Sequence, residues 1–213
     1  MTKKRFIFGL TALLMLVTAC FAFVGCNDNS GDRTLPDVGE MIADGQTTYK
    51  VIVPSNATAT QEYAAQQICN YFAQVTGVAM SYVADSGESY DSNSTTISLG
   101  KTSAYNTAVK NHKNVDVSRK TLNDDGFVMF TDGKSLFIDS YNDRGIMYGA
   151  FEFIEQNFGV KFLTYDYTYV PTATQVVLKG YDKTYVSPFR QRVYLNTPIW
   201  YQDTDYVAHL RYN

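Results

Sequence analysis

Cleaving a glycosidic bond by acid–base chemistry requires two carboxyl groups across a pocket, one to protonate and one to attack or to activate water. Three pairs in this chain have the residue type. Glu152 and Glu155 stand three apart in Phe151-Glu152-Phe153-Ile154-Glu155, a spacing that puts both on one helix face. Tyr148 and Gln156 share that side, and a solvated polar face accounts for all four. Asp124-Asp125 directly precedes an apolar run and reads as a turn. Asp143-Arg144 opens the helix that carries the glutamates, where Asp143 suits an N-cap. None of the three pairs makes a catalytic dyad.

Other chemistries are no better supplied. Gly133-Lys134-Ser135 imitates the end of a phosphate-binding loop, but the position five before Gly133, where that motif needs glycine, is Val128. No Gly-x-Ser-x-Gly elbow occurs. His112 lies in the polar stretch Lys110-Asn111-His112-Lys113-Asn114 and His209 lies near the end, so neither supports a triad. Metal-ligand spacings of the His-x-x-x-His or Cys-x-x-Cys kind are missing, and the residues imply neither metal nor cofactor. Seventeen tyrosines, 13 phenylalanines and one tryptophan are a rich aromatic supply. Tyr165, Tyr167 and Tyr169 alternate along one strand-like stretch, which suits either stacking on sugar rings or cross-strand packing.

The first residues are not expected to join the fold. Lys3, Lys4 and Arg5 precede an apolar run from Phe6 to Val24, closed by small residues and a cysteine with no basic flank behind them. This is the pattern of an export signal over residues 1–25. Both Val17-Thr18-Ala19-Cys20 and Phe23-Val24-Gly25-Cys26 resemble the box that precedes a lipidated bacterial cysteine. Cys26 has the better context, because Asn27-Asp28-Asn29-Ser30-Gly31-Asp32 follows it, whereas cleavage at Cys20 leaves Phe21 to Val24 bare. Cys20 is the alternative. The reading places the protein outside the cytoplasm, with the membrane as a partner through a lipid anchor. Loss of the signal leaves 15 Lys and Arg against 21 Asp and Glu, a net charge of −6, with no basic cluster for nucleic acid. Only Cys69 remains besides the anchor, so no internal disulfide framework is available. Its helical neighbours Ala65, Ile68 and Phe72 make it a buried thiol.

The elements that must position these residues follow from pattern. Residues 26–46 are polar, with Pro36, and read as a flexible tether. A domain over 47–180 begins with Tyr49-Lys50-Val51-Ile52-Val53, a strand stopped by Pro54. A helix follows, with Thr60 as N-cap, apolar residues at Ala64, Ala65, Ile68, Phe72 and Val75, and Gly77 as its stop. Strands are predicted at 80–83 and 96–99, and a weak helix at 104–109. A hairpin joins 126–130 to 135–138 through Asp132-Gly133. The strongest helix is 144–157, whose stripe of Met147, Ala150, Phe151, Ile154 and Phe158 ends at Gly159. Strands at 161–165 and 175–178 complete an α/β (α+β) domain, a mixed sheet with helices packed on it.

Arg144-Gly145-Ile146-Met147-Tyr148-Gly149-Ala150-Phe151-Glu152-Phe153-Ile154-Glu155, running on to Gly159-Val160-Lys161-Phe162, resembles the amino-terminal domain of bacterial alpha-glucuronidases and related glycosidase-like lipoproteins. This is the small α/β domain that also precedes the barrel of beta-hexosaminidases. Tyr49 to Pro54, Glu62-Tyr63-Ala64-Ala65, Ile97-Ser98-Leu99-Gly100 and Gly126-Phe127 fit the same resemblance in order. It implies that residues 181–213 begin a (β/α)8 catalytic barrel, with Ser187 to Val193 as first strand and Asp205 to Asn213 as the start of its first helix. It further implies that Arg192, with Arg190 as competitor, contacts sugar hydroxyls, and that catalysis lies beyond Asn213. The expectation is then an accessory, itself inactive domain of a cell-envelope glycoside hydrolase whose glycan partner binds the rest of the barrel. The alternative is a non-catalytic surface lipoprotein domain that binds glycan or a protein.

Overall fold

The computed structural model describes residues 35–189, 192 and 204–211. The export signal, Cys20, Cys26 and Arg190 lie outside the described residues. The tether expected over 26–46 does not hold from Leu35 onward. Leu35–Glu40 form strand β1, which pairs antiparallel with β9 (Val177–Gly180), and Met41 behind it is buried. Pro36 and Gly39 hid this strand, since both residues are depleted in strands and proline is confined to edges.

The centre is a six-stranded mixed sheet. Its strands are β2 (Lys50–Val53), β3 (Ser81–Ala84), β4 (Thr96–Leu99), β5 (Phe127–Asp132), β6 (Ser135–Asp139) and β10 (Asp182–Tyr185), in spatial order β10-β5-β6-β4-β2-β3. β6, β4, β2 and β3 run parallel, while β5 and β10 join antiparallel. β10 corrects a boundary. The stretch from 181 was expected to open a barrel, yet Asp182–Tyr185 is the edge strand of the small domain, and Tyr181 before it is buried.

Alternation along the strands fills both faces. Val51, Val53, Ile97, Leu99, Phe127, Met129, Leu136 and Ile138 face the main core, under α1 (Ala59–Thr76) and α4 (Asp143–Phe158). Phe130 and Phe137 face the other way, against Tyr105 and Ala108 of α2 (Ser103–Ala108). A further helical turn, α3 (Arg119–Leu122), leads into β5. A second small sheet, β7 (Lys161–Thr164) with β8 (Tyr167–Tyr169), follows α4. Tyr165 therefore sits in the turn before β8 rather than on one strand with Tyr167 and Tyr169. The last element is α5 (Thr204–His209).

The helix ends differ from expectation by one or two positions. Thr58, not Thr60, caps α1, and its hydroxyl accepts from the Gln61 backbone N–H while the Gln61 side-chain Oε1 accepts from the Thr58 backbone N–H, a reciprocal capping box. Asn142, not Asp143, caps α4 by accepting from the Gly145 N–H at 3.1 Å. Asp143 is instead the first helical residue, where it complements the helix dipole. Gly77 and Gly159 end the two helices with φ of +73° and +75°.

The glycines in the motif of α4 explain how closely it seats. A Cβ on Gly149 would lie 2.5 Å from Ile138 Cγ2, and one on Gly145 would lie 2.4 Å from the Gly126 carbonyl oxygen. Both leave room for the helix backbone to press onto β5 and β6. Cys69 is buried as expected, and burial pushes its thiol up to about 11.

Candidate functional site

The charged residues that the sequence offers for chemistry gather along α4, and most of them are hidden from water. Glu152 is only 8% exposed. Its Oε1 lies 2.7 Å from Lys183 Nζ of β10, and its Oε2 lies 2.6 Å from Arg211, just past α5. Gln156 also donates to Oε1. Arg211 reaches Glu155 as well, at 2.6 Å. Burial raises the Glu155 carboxyl above the ordinary glutamate value, and the Arg211 charge opposes that rise. The solvated face expected for Glu152, Glu155, Gln156 and Tyr148 is thus corrected. The polar side of α4 meets β9, β10 and the segment around α5 instead of water.

Asp125 corrects the turn reading in the same way. It is 3% exposed, with Arg144 Nη2 2.6 Å from one oxygen and Arg192 Nη2 3.0 Å from the other. Only its neighbour Asp124 behaves as a surface residue, paired with Arg119 at 2.8 Å. The Arg192 guanidinium also stands 5.7 Å from the centre of the buried Tyr148 ring. Its remaining N–H groups donate to Ser187 Oγ, to the Phe189 carbonyl at 3.5 Å and to the Arg211 carbonyl at 2.6 Å. Burial first, then the Asp125 charge, hold the Tyr148 phenol above its ordinary value. A cleft of about 420 Å³ opens beside this cluster, lined by Arg119, Asn123, Asp124, Asp125, Ser187 and Phe189 among others.

The structure therefore brings Arg192, Asp125 and Tyr148 together, a grouping that no sequence spacing announces. Among the described residues, Asp125, Ser187 and the Phe189 and Arg211 carbonyls hold the Arg192 guanidinium. His209 is likewise part of the junction. Its ring stacks on Phe162 at 4.2 Å and meets the edge of Phe151 at 4.6 Å. His112 packs against Phe130 at 4.5 Å and lies 3.8 Å from Asp132, so it is less solvated than its Lys/Asn-rich neighbours suggest. Ser135 is buried in the hairpin, accepting from the Thr96 N–H at 3.1 Å, a structural post with no part in phosphate binding. Tyr165, Tyr167 and Tyr169 are each about half exposed, beside the equally exposed Leu163.

What this arrangement can do is hold chain. Two arginines from the segment after β10 enter carboxylates of the small domain, and an aromatic ring from α5 enters its apolar surface.

The family model of the glycosyl hydrolase family 67 N-terminus matches residues 39–153, slightly more than half of the chain. No curated protein matches. Among solved structures, a GH138 enzyme targeting pectin rhamnogalacturonan II is similar over 51% of this chain, at 21% identity and a TM-score of 0.35. The similar region spans only 13% of that enzyme.

Proposed function

This chain belongs to the family of the glycosyl hydrolase family 67 N-terminus, and from that premise we propose that it is the accessory domain of a larger glycan-degrading enzyme. In this reading the domain seats the beginning of the catalytic portion and carries no acid–base pair of its own. One observation carries it: Asp125, Glu152 and Glu155 are ion-paired to Arg192 and Arg211 of the segment after β10. These are the carboxylates nearest to forming a dyad, and each is held by an arginine of that segment. The start of α5 at Thr204 fits the first helix of a (β/α)8 barrel, in which catalytic groups stand at the carboxyl ends of several strands. The purified chain is expected to leave aryl glucuronides and N-acetylhexosaminides uncleaved. Robust turnover abolished by Glu152→Gln or Glu155→Gln would overturn the accessory reading.

The export signal and the Val-Gly-Cys26 box support a lipid anchor at the cell envelope. Fatty-acid labelling in the host should disappear in Cys26→Ser and persist in Cys20→Ser, and the opposite pattern moves the anchor to Cys20.

A second reading, a non-catalytic lipoprotein domain that binds glycan, is favoured by the exposed rings of Tyr167 and Tyr169, two apart on one face of β8. Reading the gene beyond Asn213 separates the two. A barrel with paired acidic residues supports the first, and a binding module or a stop supports the second.

A further inference from the structure

Arg192 and Arg211 are joined to each other as well as to the small domain. The three nitrogens of the Arg192 guanidinium are committed to three different parts of the chain. Nη2 donates to the Asp125 carboxylate at 3.0 Å, ahead of β5. Nη1 donates to Ser187 Oγ and to the Phe189 carbonyl, on the chain that leads out of β10. Nε donates to the Arg211 carbonyl at 2.6 Å, beyond the end of α5. A guanidinium is planar and holds its donors at fixed angles, so these anchors cannot shift independently while the bonds last.

Arg211 is the other half of the joint. Its φ is +57°, in the left-handed region that residues other than glycine, asparagine and aspartate rarely enter. Its N–H closes on the Ala208 carbonyl at 3.0 Å, which places it at the helix end where glycine is usual. A strained backbone of this kind persists when the surroundings hold it, and three contacts do so here. The side-chain Nη2 lies 2.6 Å from both Glu152 and Glu155 of α4. The carbonyl receives Arg192. On α5 itself, the His209 ring stacks on Phe162 at 4.2 Å.

We propose that Arg192 and Arg211 form a single latch, linked through the Arg211 carbonyl, which docks the chain around Phe189 and α5 on the small domain as one all-or-none unit. Arg211 is its positioning residue. The left-handed turn aims its carbonyl at Arg192, while its side chain fixes that turn on α4. The latch deepens the accessory-domain reading and rests on it for one point, that the chain after β10 begins the catalytic portion. On that reading the small domain presents two parts of that portion in a fixed mutual arrangement, and neither part is seated alone.

Two measurements on the purified chain test the latch. Chymotrypsin cleavage at the exposed Phe189 reports opening on one side, and hydrogen exchange of the α5 and Arg211 amides reports it on the other. Both are read where the rate follows the open population. Arg192→Ala and Arg211→Ala should each speed both processes about tenfold or more, and by the same factor within about twofold. Arg211→Gly should also speed both, although glycine suits that backbone better than arginine does. The core that retains Tyr181 and Tyr185 should survive in all three variants, because the latch docks the later chain and does not hold the sheet. The proposal is overturned if Arg192→Ala changes only cleavage and Arg211→Ala only exchange, if Arg211→Gly stays as closed as the parent, or if the core is lost. Any of these results would leave the accessory-domain reading standing, since the glycoside assays test that separately.

Discussion

A carboxyl group as deeply buried as that of Asp139 must titrate in a way that stability can report. Burial raises its pKa, more than the Ser140 N–H, the Tyr105 hydroxyl and the Lys101 charge lower it. The folded protein then holds this proton at pH values where the unfolded chain has released it. By linkage, stability falls as pH rises from the ordinary aspartate range through the raised value. Asp139→Asn cannot titrate, and its side-chain oxygen can still accept from the Ser140 N–H. The variant should melt higher than the parent above that window and lose the advantage below it, read from melting temperatures at acid and neutral pH. Parallel melting curves across the whole range would mean that Asp139 is ionised in the fold. No sequence signal marked this residue, since Asp139-Ser140 after an apolar strand looks like any strand end. Asp125 escaped for a related reason. Its partners Arg144 and Arg192 are distant in sequence, and a local pattern can describe a turn but not a buried ion pair.

At the scale of elements, the apolar periodicity of α4 gave most of the inner face. Ala150, Phe151, Ile154 and Phe158 are buried, while Met147 of the same stripe is only partly so. The opposite face was misread because an amphipathic pattern says which side meets the core and assumes that the other meets water. Lys183 and Arg211 cover it instead, bringing the charges that let Glu152 go inside. The glycines of the same helix make a sharper test of its seating. In an open helix Gly→Ala stabilises by about 1 kcal/mol through propensity. Here a Cβ at Gly145 would meet the Gly126 carbonyl and Ser140 Oγ, and one at Gly149 would meet the Ile138 methyl. Overpacking of this kind typically costs about 1–3 kcal/mol. Both alanine variants should therefore be less stable in urea titration, Gly145→Ala the more so because a backbone carbonyl yields less readily than a side chain. A stabilised Gly145→Ala would show that α4 does not lie so close to β5 and β6.

For the whole molecule, the order of strands and helices between Tyr49 and Gly159, the helical turn α3 apart, was legible from short apolar runs, the periodicity of α1 and α4 and the glycines that end them. The two margins were not. β1 and β10 have the polar sequences Leu-Pro-Asp-Val-Gly-Glu and Asp-Lys-Thr-Tyr, and each becomes a strand only through pairing with a distant partner. The consequence is a later end to the domain than the sequence pattern suggests. The Tyr181 carbonyl accepts from the Thr131 N–H at 3.0 Å, the Tyr181 N–H donates to Thr131 Oγ1 at 3.1 Å, and Tyr185 stacks on Phe127 at 5.1 Å. Limited chymotrypsin digestion followed by mass spectrometry should then yield a stable core that retains Tyr181 and Tyr185. The first cut nearby should fall at Phe189, which is largely exposed. Beyond that point the chain is held by Arg192 on Asp125 and by Arg211 on Glu152 and Glu155. Arg211→Ala removes one of these clasps, so it should speed cleavage at Phe189 while the core that remains keeps the same C-terminal boundary. A core that ends near Gly180 would place β10 outside the domain. An unchanged rate in Arg211→Ala would mean that the ion pairs to α4 do not hold the segment that follows.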